Sequence, residues 1–114
     1  MFVRDMVSNL NLEVKAMTKE GSLRKVEGGY VGDVLSHVMA NAQPGYAWIT
    51  VQTHENIVAV ASLLDVACII VCQRELPAQT QERAKKEAVT LLWTESGAFE
   101  IAGRLYSLLY PEGR

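Results

Sequence analysis

Residues Ala47 to Val60 read AWITVQTHENIVAV, an apolar run, a polar turn and a second apolar run. The pattern predicts a strand over Ala47 to Val51, a loop Gln52-Thr53-His54-Glu55-Asn56 and a helix from Glu55 to Leu64. Apolar runs of about 4 to 8 residues bounded by turn residues suit a strand covered on both faces, as in a parallel sheet. The loop then falls at the strand's carboxyl end, where open α/β sheets place ligands.

Downstream the same alternation continues, with a strand at Ala67 to Cys72, a helix near Ala78 to Ala88, a strand at Thr90 to Thr94 and a helix over Ala98 to Leu109. Alternation of this kind implies βαβ units with right-handed crossovers. Upstream, Phe2, Val3, Met6, Val7 and Leu10 recur at helical spacing and Asn11 stops them. Leu12, Val14 and Ala16 alternate with Glu13 and Lys15 as in a half-buried strand, and Thr18-Lys19-Glu20-Gly21 turns the chain. Leu23 to Val26 reads as a short extended piece leading into Gly28-Gly29. Asp33 stands as an N-cap before the apolar stripe Val34, Leu35, Val38 and Met39, a helix that Gln43-Pro44-Gly45 ends.

The expected fold is therefore α/β, a layered sandwich with a mostly parallel central sheet and helices on both faces. At 114 residues and 49% hydrophobic composition the chain forms one domain without metal or disulfide support. Residues 1–21 supply the first helix and strand, 22–110 the core, and 111–114 a tail expected to fray.

Charge and hydropathy exclude several classes of partner. A net charge of -2 gives no basic face for nucleic acid. The longest apolar stretch, Ile57 to Val71, is broken by Asp65 and falls short of the roughly 20 residues that span a bilayer. The amino terminus lacks the segments of a signal peptide, so a cytoplasmic location is expected. Cys68 and Cys72 lie on one predicted strand, about 13 Å apart on the same face, too far to pair with each other. They read as two small buried hydrophobes, with Cys72 at the strand end as the alternative redox thiol.

The three later helices differ. Ile57 to Ala61 with Leu63 and Leu64 is apolar nearly all round, which calls for cover beyond the sheet, and a second subunit is the expected cover. Gln79 to Glu87 is mostly polar with only Ala84 and Ala88 facing inward, a solvent-exposed crossover. Ala98, Ile101, Ala102, Leu105, Leu108 and Leu109 form the stripe that packs the last helix on the sheet.

Catalytic motifs are missing. There is no G-x-x-x-x-G-K-[ST], and Gly28, Gly29 and Gly32 form G-G-x-x-G rather than a dinucleotide turn. No serine lies in a G-x-S-x-G elbow. His54, at a strand end beside a helix start, has three readings: a loop histidine bonded to backbone or to Asn56, a ligand contact, or a general base. Thr53 and Glu55 both suit the helix amino terminus, Thr53 as its cap. With Gln73-Arg74-Glu75 and Thr94-Glu95-Ser96-Gly97 these residues outline a cleft in which Arg74 would meet an anion or nucleotide, against the opposing charges of Glu55, Glu75 and Glu95.

Gly28 to Ala42 (GGYVGDVLSHVMANA), Ala47 to Ala61, Ala67-Cys68-Ile69-Ile70-Val71 and Thr94 to Glu100 together resemble the DRTGG domain, over roughly the last three quarters of the chain. That family is similar to the amino-terminal domain of HPr kinase/phosphorylase, and it occurs in some phosphotransacetylases and beside CBS modules in certain pyrophosphatases. In the naming motif only Gly28 and Gly29 stand here, with Lys25, Val26 and Glu27 in place of Asp, Arg and Thr. The resemblance implies an α/β regulatory or assembly module, often at a subunit interface, without kinase activity. Stand-alone members imply a link to redox or hydrogenase regulation.

The expected function is thus a non-enzymatic regulatory domain that self-associates as a homodimer and senses a small ligand, with a partner protein as a further expectation and no cofactor or metal. The interface is expected at Tyr30, Val34 and Val38 with Val58, Val60 and Ala61. Ligand contacts are expected at Gly28, Gly29, Thr53, His54, Asn56, Arg74 and Glu95. A nucleotide or small-anion sensor at the strand-end loops is the alternative.

Overall fold

The chain lays down the two edge strands of its sheet first and then fills the interior from one edge toward the other. A computed structural model describes residues 1–113. In chain order the elements are α1 (Val3–Leu10), β1 (Glu13–Ala16), α2 (Lys19–Ser22), β2 (Gly28–Val31), α3 (Leu35–Asn41), β3 (Tyr46–Thr50), α4 (Asn56–Leu64), β4 (Cys68–Cys72), α5 (Ala78–Lys86), β5 (Leu91–Thr94) and α6 (Ala98–Leu109). The five strands lie in the order β1-β5-β4-β3-β2. β2 to β5 run parallel and β1 joins antiparallel to β5. The central strand β4 is buried along its whole length, as a strand covered on both faces must be.

Side-chain alternation divides the core between the two faces. Ala47, Ile49, Cys68, Ile70, Cys72 and Leu92 pack with Val3, Met6 and Leu10 of α1 and Ile101 and Leu105 of α6. Trp48, Ile69, Val71 and Leu91 pack on the other face with Val38 of α3, Ile57, Val58 and Ala61 of α4, and Ala84 of α5. Trp48 is fully buried, and its ring Nε1 donates to Gly32 O at 2.9 Å, which satisfies the one polar atom the indole carries inward.

Several expectations change in detail. α4 is flanked by α3 and α5 in one helix layer, so neighbouring helices supply much of the cover that a second subunit was expected to give. Asp33 does not cap α3, whose N-cap is Val34 without a side-chain bond; its carboxylate crosses to β3 instead. Ala88 is exposed and takes a left-handed φ of 56° beyond the end of α5, and Thr80 takes the inward place beside Ala84. In β1 a register shift between Val14 and Ala16 breaks the alternation and leaves Val14 exposed. The turn at Thr18 tightens into the one-turn α2, capped by Thr18 Oγ1 accepting from Gly21 N at 2.9 Å. Of the tail expected to fray, Arg114 lies outside the described residues, while Gly113 N donates to Tyr110 O at 2.9 Å.

Candidate functional site

The residues expected to form a single site are distributed over three places. Parallel strands β2 to β5 end at one edge of the sheet, and the loops that leave them there interlock through hydrogen bonds. Asp33 Oδ1 accepts from the buried Thr50 hydroxyl at 2.8 Å and from Val51 N at 2.8 Å, and Gln52 Nε2 donates to Asp33 O at 2.9 Å. Thr50 Oγ1 in turn accepts from Gln52 N at 3.1 Å. Asp33 therefore fastens the end of β2 to the end of β3, a role that its position before an apolar stripe disguised as a helix cap.

His54 takes the first of its three readings. Its Nδ1 accepts from Asn56 N at 3.0 Å, so the imidazole, and not Thr53, covers the first free amide of α4. Thr53 contributes its carbonyl, which accepts from the Thr80 hydroxyl at 2.6 Å. Glu55 turns toward α5, where Gln79 Nε2 donates to it at 3.2 Å and Arg83 approaches to 4.0 Å. Arg74 is exposed, with Nη1 3.4 Å from Val51 O, and its own carbonyl accepts from Trp93 Nε1 at 2.9 Å. His54 thus caps α4 within its own loop, while Thr53, Glu55 and Arg74 reach α5 or a neighbouring loop.

Glu95 stands apart, on a groove at the end of β5 with Asn11, Trp93 and Arg104. Gly28 and Gly29 are also elsewhere, at the amino end of β2, where they meet α6. A Cβ at Gly28 would lie 2.6 Å from the Tyr46 ring, and one at Gly29 would lie 3.3 Å from Leu105 Cδ2. Glycine at these positions lets a tyrosine ring and a helix close directly onto the strand backbone. Beside it lies a groove of about 190 Å³ at the Gly28–Gly29 end of β2, walled by Tyr46, Leu105, Tyr106 and Tyr110. The tyrosine wall was missed in the sequence, although Tyr106 and Tyr110 sit four residues apart, and their rings lie 4.9 Å apart.

The expected interface residues also divide. Val38, Val58, Val60 and Ala61 are buried inside the single chain, so they belong to its core rather than to a surface. Tyr30 is half-buried and Val34 is exposed, both beside the open edge of the sheet. Exposed apolar residues cluster there: Val31 (49%), Val34 (55%) and Met39 (46%), with Tyr106 (48%) on the α6 side.

Neither thiol is primed for reaction. Burial pushes Cys68 up to about 12, with the nearby Arg24 charge opposing it, and burial together with the Asp33 charge pushes Cys72 up to about 11. Among the described residues no three His, Cys, Asp or Glu side chains cluster to hold a metal ion, and no helix is long and apolar enough to cross a membrane.

A five-stranded, mostly parallel sheet with helices on both faces makes this an α/β domain, and its likeness to a solved structure gives it a DRTGG-like fold. A solved structure of similar fold is that of the CBS and DRTGG domains of the regulatory region of Clostridium perfringens pyrophosphatase, complexed with its activator diadenosine tetraphosphate. The TM-score is 0.73 at 18% identity, over 91% of this chain and 45% of that one. The chain thus spans less than half of that protein chain, and the likeness is one of fold. No protein-family model and no curated protein matches the sequence.

Proposed function

We propose that this chain is a non-enzymatic regulatory domain that self-associates through the free edge of β2. The observation that carries this reading is the contrast between the two edges of the sheet. The β1 edge is blunted by a bulge and by Glu13 and Lys15, which pair at 3.2 Å. The β2 edge offers Gly29, Tyr30 and Val31, with exposed Val34 and Met39 alongside and no charged residue within the strand. An open edge bordered by apolar side chains is a template for strand pairing. The fold's likeness to a regulatory region supports the regulatory part of the reading.

Sedimentation equilibrium at roughly tens of micromolar, where specific contacts persist, should show a dimer. Val31→Lys should give a monomer whose circular dichroism and melting match the unmutated chain. A monomeric unmutated chain at that concentration sinks the proposal.

A second reading, a nucleotide sensor, is favoured by the activator bound to the structurally similar regulatory region. A nucleotide that binds the folded chain should raise its melting temperature with ligand excess. The strand-end loops are the weaker place for it, because Asp33, Gln52, His54 and the Thr53 carbonyl already hold hydrogen bonds within the chain. The redox setting implied by the family resemblance gains no support from the thiols, which burial holds protonated.

A further inference from the structure

We infer that the groove between β2 and α6 is a binding slot for a neutral, planar heteroaromatic ring of purine size. At its base the Tyr46 ring and Leu105 close onto Gly28 and Gly29, in the space that Cβ atoms would fill, and the slot opens between that ring and the end of α6. Its walls are aromatic on more than one side, Tyr46 from β3 and Tyr106 with Tyr110 from the end of α6. Rings of this kind favour offset or tilted stacking at centroid distances of about 4.5–7 Å, and Tyr106 and Tyr110 already stand tilted by 58° to each other. The Tyr46 and Tyr106 hydroxyls add polar atoms to an otherwise apolar lining, the composition that small-molecule sites share.

Charge and volume narrow the ligand. Among the described residues no Lys, Arg, His, Asp or Glu lines the groove, so none of them would neutralise a phosphate or a carboxylate. The capacity of about 190 Å³ lies below the roughly 300–1,000 Å³ of pockets for drug-sized ligands. A single ring system fits, and a phosphate-bearing tail would project into solvent. Gly29 and Val31 belong both to the groove and to the β2 edge on which self-association is read, so the α6 wall, Ala102 and Tyr106, distinguishes ring binding from pairing.

The test is a titration of the labelled full chain followed by its amide NMR signals, with adenosine, adenosine monophosphate and ribose 5-phosphate as separate probes. Adenosine and the monophosphate should shift Gly29, Val31, Ala102 and Tyr106 at similar concentrations, and ribose 5-phosphate should shift none of them. Tyr106→Ala should weaken the adenosine response at least tenfold and Tyr106→Phe should retain it. Tyr106 is half-exposed, so both variants are expected to fold, which their melting curves check. Two results each overturn the inference: no shift at Ala102 and Tyr106 with adenosine, or shifts there that follow ribose 5-phosphate.

Discussion

At the scale of single residues, the stability of the polar edge rests on carboxylates whose partners are distant in sequence. Asp33 takes two hydrogen bonds at 2.8 Å from the end of β3, one of them from the Thr50 hydroxyl, which is only 1% exposed at the residue level. Asp33→Ala removes the acceptor and leaves that hydroxyl with a poorer partner, a loss of about 1–3 kcal/mol. The urea midpoint should fall accordingly with the slope unchanged, and an unmoved midpoint would show that the clamp is ornamental. Asp65 ends α4 in a left-handed conformation at φ 59° and meets Arg24 at 2.7 Å. The hydrogen bond from Arg24 holds the Asp65 carboxyl below its ordinary value of 3.8 against the opposing cost of burial, with a smaller further lowering from the Arg24 charge. A lowered folded value means stability that is fully present above 3.8 and is lost as pH falls through the lower folded value. The pair is largely exposed, so its worth is small and screened by salt. Asp65→Asn tolerates the same backbone and should flatten the acid limb of melting temperature against pH; an acid limb identical to that of the unmutated chain would refute the assignment.

At the scale of elements, α4 settles whether its apolar surface faces the chain's own core or a partner. Val58 is fully buried against Trp48 and the sheet, whereas Leu63 on the same helix is 70% exposed. Val58→Asp places an unpaired charge in a close-packed core and should cost more than about 4 kcal/mol, enough to unfold a domain of this size. Leu63→Lys should leave stability within about 0.5 kcal/mol. Soluble, folded monomers of Val58→Asp would restore the interface role. This division shows what the sequence could carry. The strands of the alternating half were legible because β3, β4 and β5 are runs of apolar residues between turns, and α6 was legible to the residue because its stripe is continuous. The error in α4 has a physical source: hydropathy registers how much of a helix is apolar, not whether neighbouring helices or another chain cover it. The site was less legible for a related reason. Hydrogen bonds such as Asp33 to Thr50 join residues that topology brings together, and a spacing rule along the chain cannot register them. Gly28 and Gly29 were noted as a motif, but their use, the close approach of the Tyr46 ring and of Leu105 to the strand, depends on residues distant in sequence.

At the scale of the whole molecule, the geometry of the β2 edge fixes how two copies would meet. Gly32 N donates to Ile49 O at 3.1 Å, so in a parallel ladder the alternate residues Gly29 and Val31 turn their N–H and C=O groups away from β3. A two-fold axis at Tyr30 would set Gly29 of one copy opposite Val31 of the other, closing an antiparallel ladder and joining the two sheets into one. The same symmetry sets Glu27 of one copy against Asp33 of the other at both ends of the ladder. Like charges directly opposite each other oppose pairing, and salt screens that repulsion while leaving the apolar contacts of Val31, Val34 and Met39 intact. Self-association should therefore tighten as ionic strength rises from about 0.05 to 0.5 M, and Glu27→Gln should tighten it at low salt and reduce its salt dependence. An interface held by ion pairs would show the reverse trend, loosening as salt is added. Sedimentation at several salt concentrations separates the two, and a dissociation constant that rises with salt would place the contact away from β2.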